Sequence, residues 1–432
     1  MRVLMFGWEF PPHISGGLGT ACFGMTKALA QHGTEIVFVI PHTAGPGRTS
    51  HVRLVAADSD ADPDADAVPS GETPSLETLL RHIELREIDS ILVPYLSAPE
   101  YQRVLEQVES RVRRRAAATS VLTARTDYGR NLMAEVARYS EAAERLARNE
   151  RFDLIHVHDW MTFAAGIRAK HASGRPLVVH VHALEYDRSG EKPNPDVLAL
   201  EKLGLAAADH IVAVSHYTRS ILVNRYEVPP EKVTVVHNAV SRRKAGAIYH
   251  SSRPRGGKVV LFLGRVTFQK GPDYFVEAAA RVIEKVPNVT FVMAGVGDML
   301  PRMIERVGQL RLGRNFHFTG FLRGEEVERM YAETDLYVMP SVSEPFGISP
   351  LEAMLYDVPV IISRNAGVAE VLTHALKVDF WDVTDLANKI LAILKYPALS
   401  RELLRNGRRE LQAIRWDVAA DHIQAVYQRL CP

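Results

Sequence analysis

Short apolar runs recur through the first half of the chain: Val3 to Phe6, Ile36 to Ile40, Leu154 to Val157, Leu177 to Val181, Ile211 to Val214 and Val233 to Val236. They are apolar at neighbouring as well as alternate positions, so both faces need cover, which is the pattern of parallel strands buried between helix layers. Helical patterns follow them. After Ser251, Ser252, Arg253, Pro254, Arg255, Gly256 and Gly257, whose proline, glycine and charge read as a linker, the alternation restarts. Val259 to Leu263, Val289 to Met293, Phe316 to Phe318, Leu336 to Met339 and Val358 to Ile362 make a second series. The pattern predicts two α/β units, residues 1–250 and 258–411, and a final helix within 412–432 in which Val418, Ile423, Val426 and Leu430 share one side.

The remaining stretches add packing more than chemistry. Leu132, Met133, Val136, Ala137, Ala143, Leu146 and Ala147 are spaced for a packing helix. Asp58 to Asp66 reads as a solvated loop, since a calcium loop needs a glycine turn and a terminal glutamate that are absent here. Arg111, Arg113, Arg114 and Arg115 read as a solvated helix face. A length of 432 residues, 47% hydrophobic and 24% charged, supports two ordinary globular cores. The 52 basic and 51 acidic side chains leave a formal charge of +1, so no broad field draws nucleic acid or an anionic membrane, and an anionic ligand must be held locally. No apolar run approaches membrane-spanning length. Cys22 and Cys431 form neither a disulfide framework nor a metal motif, and Trp8, Glu9, Pro11 and Pro12 interrupt any signal-peptide core, so a cytoplasmic protein is expected.

Three segments carry candidate chemistry. Gly16, Gly17, Leu18 and Gly19 follow the first strand and open a helix, where exposed amides favour an anion such as a diphosphate; plain helix packing is the alternative, since the dinucleotide fingerprint spacing is not met. Arg265 and Lys270 lie in Gly264 to Gly271, at the carboxyl end of a strand, and two cations there suit a leaving diphosphate. Ser343 to Glu352 carries Glu344 in a loop and Glu352 on the following helix. Carboxylates accept bonds from vicinal hydroxyls, so one suits a sugar and the other a ribose, while amides at Phe346, Gly347 and Ile348 suit a phosphate or sugar oxygen. Histidines close two strands, His156 and His158 on one, His180 and His182 on the next. A two-histidine metal site and structural histidines are both readings of that pattern. Glu185, Asp187 and Arg188 sit in a polar stretch that meets an acceptor, caps a helix or bridges the domains.

Together, the segment Ser343 to Glu352, Gly-Arg-Val-Thr-Phe-Gln-Lys-Gly upstream of it and Gly-Gly-Leu-Gly near the start resemble the GT-B retaining glycosyltransferases of family four, close to bacterial and archaeal glycogen synthases. The resemblance spans nearly the whole chain. It implies a GT-B fold of two Rossmann-like domains whose parallel sheets face across a deep cleft. The donor, a nucleotide-sugar, would bind mainly the second domain and a carbohydrate acceptor the first, with the final helix crossing back onto the first domain. Glu352 would hold the donor ribose, Glu344 the transferred sugar, and Arg265 and Lys270 the diphosphate; His182 would contact the transferred sugar, and His158 with Asp159 would lie behind it or toward the acceptor. The implied chemistry needs no metal and no other cofactor. Hexosyl transfer to an α-glucan is the leading expectation; a lipid, sugar-phosphate or small-molecule acceptor, and a sugar-nucleotide epimerase, are the alternatives. Ala366, Gly367, Val368, Ala369 and Glu370 stand where relatives often carry a glycine pair, and Thr373 to Asp385 lacks the usual glycine-rich lead-in.

Overall fold

The computed structural model describes residues 1–10, 16–41, 54–56, 83–88, 128–241 and 257–432. The acidic stretch Asp58 to Asp66, the arginines Arg111 to Arg115 and most of the linker lie outside them. Two sheets form, with every strand pair parallel. The first contains β1 (Arg2–Phe6), β2 (Glu35–Pro41), β3 (Leu54–Ala56), β4 (Ile83–Ile88), β5 (Leu154–His158), β6 (Leu177–Val181), β7 (His210–Ala213) and β8 (Val233–Val235), in the order β3-β4-β2-β1-β5-β6-β7-β8. Its helices among the described residues are α1 (Gly17–Gln31), α2 (Tyr128–Asn149), α3 (Trp160–Ser173), the short α4 (Glu185–Ser189), α5 (Pro195–Ala207) and α6 (His216–Arg225).

The second sheet contains β9 (Lys258–Leu263), β10 (Val289–Ala294), β11 (Phe316–Gly320), β12 (Leu336–Met339), β13 (Val360–Ser363) and β14 (Leu376–Val378), ordered β11-β10-β9-β12-β13-β14. Helices α7 (Pro272–Ile283), α8 (Leu300–Gln309), α9 (Glu325–Ala332), α10 (Ser349–Leu355), α11 (Val383–Lys395) and α12 (Pro397–Ala413) accompany it, and α13 (Trp416–Leu430) follows. The hydrophobic pattern foresees eleven of these fourteen strands. It misses β3 and β4, and it misses β14, whose Leu-Lys-Val at the sheet edge carries too little apolar signal.

Burial on both faces explains the parallel pairing. Along β1, Val3 and Met5 enter one core while Leu4 and Phe6 enter another. Along β9, Leu261 joins the first of these cores and Val260 and Phe262 a third. The core holding Val3, Met5 and Leu261 therefore runs from one sheet to the other, through α1 and α13. Helix α13 returns to the first sheet: Gln424 Nε2 donates to the His32 carbonyl at 3.1 Å and to Thr34 Oγ1 at 2.9 Å. Trp416 packs on Gly24, where an added Cβ would lie 2.3 Å from the indole ring, so a glycine is what lets α1 and α13 approach. Local signals fix the helix starts. Asn194 caps α5 by accepting from the amide of Asp196 at 3.0 Å, with Pro195 next in sequence, and Ser215 caps α6 through the amide of Thr218 at 2.9 Å.

Candidate active site

In open parallel sheets, crevices form outside the carboxyl ends of neighbouring strands whose connections leave in opposite directions. The strand orders put such points between β1 and β5 in the first sheet and between β9 and β12 in the second. Gly16 to Gly19 follow β1, His158 ends β5 and Asp159 follows it, Arg265 to Lys270 follow β9, and Glu344 follows β12. The candidate residues thus gather at the two reversals.

On the second sheet, the site is charged. Lys270 closes a single turn, Phe268–Lys270, and Gly271 then takes a left-handed φ of 65°. A Cβ at Gly271 would sit 2.2 Å from the Pro340 carbonyl, so the glycine lets the loop after β9 lie against the loop after β12. Across that contact Lys270 Nζ pairs with the Glu344 carboxylate, the two side chains being 20% and 8% exposed. Ser341 Oγ approaches the same carboxylate at 3.4 Å, and Arg265 donates to Gln269 Oε1 at 3.3 Å. Glu352, in the first turn of α10, accepts from Tyr331 OH at 3.2 Å. The side chains of Phe346 and Ile348 are buried in the shared core, and Leu18 packs against it, which leaves their backbones as the parts available to a ligand.

On the first sheet, the site is a stack of neutral rings. His156, His158, His180 and His182 assemble at the ends of β5 and β6, with centroids 4.6 Å apart for His156 and His158 and 4.2 Å for His180 and His182. His158 Nδ1 meets His182 Nε2 at 3.0 Å, His156 Nε2 meets His180 Nδ1 at 3.2 Å, and His156 Nδ1 bonds the Tyr427 hydroxyl of α13. Burial disfavours the charged imidazolium: it takes His182 down to about 3 and holds the other three well below the usual histidine range. Asp159 orients the loop that carries His182, accepting from the amides of His182 at 2.7 Å and Ala183 at 3.1 Å. To reach across, its backbone adopts φ 59°, a conformation that costs a non-glycine residue about 1–3 kcal/mol. Burial lifts its carboxyl to about 6, against the pull of Arg188 and the two amides. The glycine loop is likewise occupied from within, because Glu9 accepts from the Gly19 amide at 3.1 Å.

The polar stretch after His182 is engaged by hydrogen bonds within the protein. Glu185 accepts from Ser189 Oγ at 2.5 Å and the Asn194 amide at 3.0 Å; Arg188 donates to the Ala183 carbonyl at 3.2 Å and to Glu201 at 3.4 Å. Both are 14% exposed or less, so they brace α4 and α5. Asp187 bridges: it caps the Leu184 amide at 2.8 Å and accepts from Ser343 Oγ of the second domain at 2.5 Å. Ser343 also meets Tyr217 OH at 2.9 Å, and Ser215 Oγ donates to the Pro345 carbonyl at 2.5 Å. Glu370 reaches over to the start of α6, accepting from the amides of His216 at 2.9 Å and Tyr217 at 2.7 Å and meeting His237 Nε2 at 2.8 Å. His182 and Lys270 are therefore joined by a short chain of contacts through Ala183, Leu184, Asp187, Ser343 and Glu344.

Asp187, Ser343, Tyr217 and Glu370 as cross-domain partners, and Glu201 as a buried carboxylate, have no local sequence signal. The cross-domain partners lie far along the chain, 156 residues apart for Ser343 and Asp187. Burial pushes Glu201 up to about 7, opposed by Arg188 and by its bond from Tyr226. No helix among the described residues is long and apolar enough to cross a membrane.

Known proteins agree with this geometry. Residues 249–410 match the family described as glycosyl transferases group 1, and residues 75–244 the one described as glycosyltransferase family 4. An uncharacterized glycosyltransferase of Methanocaldococcus jannaschii is 26% identical over 99% of this chain and 98% of its own, and the glycogen synthase of Mycobacterium tuberculosis is 24% identical over 99% and 94%. The structure of a sucrose-phosphate synthase from Thermosynechococcus elongatus superposes with a TM-score of 0.71 at 21% identity, covering 99% of this chain and 98% of that one. With two parallel-sheet domains, charged and neutral reversal points set against each other and both halves matched, the chain belongs to the GT-B glycosyltransferases of family four.

Proposed function

We propose that this enzyme moves a hexosyl group, glucose from a uridine or adenosine diphosphate sugar, to the non-reducing end of an α-1,4-glucan with retention at the anomeric carbon. The observation that carries the reading is the partly buried Lys270–Glu344 pair at the second reversal point. A lysine and a carboxylate in contact suit a diphosphate oxygen and an adjacent sugar hydroxyl, and Arg265 on the same loop adds a second cation. Glu352 is left for the ribose.

The first domain supports a mechanism without a covalent intermediate on the protein. Asp159, Glu185 and Asp187 are each engaged by two hydrogen bonds, which fits positioning better than nucleophilic attack. The bond from the anomeric carbon to the diphosphate breaks, its electron pair leaving with phosphate. The acceptor oxygen attacks on the same face, and its proton passes to the departing phosphate oxygen. Lys270 and Arg265 stabilise the charge that grows there. His182, held neutral and fixed by Asp159, meets the transferred sugar without adding repulsion to an oxocarbenium-like centre. No metal is required for these steps, and the protein acts in the reducing cytoplasm.

The test is a panel of uridine, adenosine and guanosine diphosphate sugars, with and without glucan, following nucleotide release and the anomeric configuration of the product by NMR. Glucan-dependent release with retention is expected; release at full rate without acceptor, or inversion, defeats the reading. A sugar phosphate is the second acceptor to include, favoured by the likeness to a sucrose-phosphate synthase.

A further inference from the structure

Glu344 belongs to the second domain, yet the residues on either side of it are held by the first. Ser343 Oγ donates to Asp187 Oδ1 at 2.5 Å and meets Tyr217 OH at 2.9 Å. An ionised Asp187 only accepts, so the Ser343 proton is committed to it and Ser343 accepts in turn from the phenol. Burial raises the Tyr217 phenol above its usual range, which keeps that proton in place. On the other side of Glu344, Ser215 Oγ donates to the Pro345 carbonyl at 2.5 Å, and Thr218 Oγ1 approaches the same oxygen at 3.4 Å. We propose that Ser215, Tyr217 and Asp187 are positioning residues for the transfer, through which the first domain sets the aim of the Glu344 carboxylate.

The second domain supplies part of the hold. The Glu344 amide donates to the Asn365 carbonyl and the Gly367 amide to the Glu344 carbonyl, both at 2.9 Å, which ties Glu344 to the loop after β13. The contacts at Ser343 and Pro345 then fix this strip against the other domain. Close approach is built in at Gly367, where an added Cβ would lie 2.2 Å from the Pro345 oxygen and 2.6 Å from the Ser215 Cβ. The one glycine in Ala366 to Glu370 is thus what lets Ser215 reach that carbonyl. Asp187, Ser215 and Thr218 are at most 1% exposed, Ser343 8% and Glu344 6%. A buried polar network whose members are partnered is rigid, which is what aiming a side chain requires.

Asp187 also refers Glu344 to the histidine side, because its second oxygen accepts from the Leu184 amide, two residues after His182, at 2.8 Å. On the reading given under Proposed function, on which this inference rests, one carboxylate sets the distance between the two side chains that meet the transferred sugar. Loosening the grip leaves Arg265 and Lys270 able to hold a diphosphate while Glu344 is no longer aimed. Donor binding and sugar transfer then separate.

Ser343→Ala removes the hydroxyl that both Asp187 and Tyr217 use, and Ser343→Thr keeps it. With the nucleotide sugar and acceptor turned over fastest in the panel above, Ser343→Ala should lower kcat at least ~10-fold while the Kd of the matching free nucleoside diphosphate changes less than ~2-fold. Ser343→Thr should restore most of the rate. In a Glu344→Ala background Ser343→Ala should lower kcat no further, since a positioning residue acts through the residue it positions. Hydrogen exchange reads the grip in full-length protein without substrate: peptides spanning 341–348 should exchange faster in Ser343→Ala and return to wild-type rates in Ser343→Thr, with β9 and β10 unchanged. Unchanged exchange in Ser343→Ala, or a further ~10-fold loss on adding it to Glu344→Ala, overturns the proposal. Normal turnover in Ser343→Ala with Glu344→Ala impaired refutes the positioning alone. Normal turnover in Glu344→Ala refutes the role given to Glu344 under Proposed function, and the positioning with it.

Discussion

The two reversal points solve opposite electrostatic problems with the same strand geometry. At the second sheet, Lys270 and Glu344 form a nearly buried ion pair, each partnered by the other, so the site holds two polar groups that a ligand can share. At the first sheet, four imidazoles have no carboxylate in hydrogen-bond contact among the described residues, and desolvation keeps them neutral. Asp159 is near them, but it bonds the backbone and not a ring. On the proposed function, charge stands where the diphosphate leaves and is withheld where the sugar cation forms.

The largest test of this contrast is removal of the charged pair. Lys270→Ala and Glu344→Ala should each lower kcat at least ~100-fold, about 3 kcal/mol, while melting remains cooperative. Near-normal turnover in either variant breaks the contrast at its charged end. A smaller effect is expected from Asp159→Ala, which frees the amides of His182 and Ala183: kcat/KM should fall by about 10-fold, with a smaller change in the affinity for free nucleoside diphosphate. An equal loss in both would move Asp159 to the donor side.

Stability against pH sharpens the neutral end. His182 binds no proton in the fold until about pH 3 but takes one near 6.5 when unfolded, so its contribution is present above about 6.5 and lost as pH falls, by up to about 1.4 kcal/mol per unit. Glu201 has the opposite sign: raised to about 7, it costs stability as pH climbs from about 4.5 to 7. Denaturant unfolding from pH 4.5 to 7 should show His182→Asn losing part of the acid sensitivity that four buried histidines give the wild type, and Glu201→Gln gaining stability relative to the wild type as pH rises. Parallel curves for all three proteins would mean these groups titrate normally. The smallest expected change is in Tyr427→Phe, which removes the partner of His156 Nδ1 and should lower stability by about 1 kcal/mol in the same measurement.

The charged side was readable from residue order because its parts are local: glycines bracket Arg265 and Lys270, and β9 and β12 are apolar on both faces. The two-sheet plan was readable for the same reason. What could not be read is what long-range contact decides. Glu185 and Arg188 look the same in sequence whether they turn outward or brace a helix, and it is packing against Asn194 and Glu201 that engages them inside the fold. The pairing of Ser343 with Asp187 and the reach of Glu370 to α6 depend on how two independently patterned halves meet. The left-handed backbone of Asp159 is a local conflict tolerated because its carboxylate has two amides to hold.

Helix α13 has a consequence for biosynthesis. Cys22, Met25 and Leu29 of α1 share a core with Ile423, Val426 and Tyr427 of α13, and His32 and Gln424, which bond, are 392 residues apart. At about 10 residues per second, a ribosome needs on the order of 40 s to cover that distance. During that time α1 is outside the tunnel with its apolar flank uncovered, a period in which a chaperone has surface to hold. Leu261 and Tyr337 of the second sheet belong to the same core, so the last helix made completes a core that both domains share.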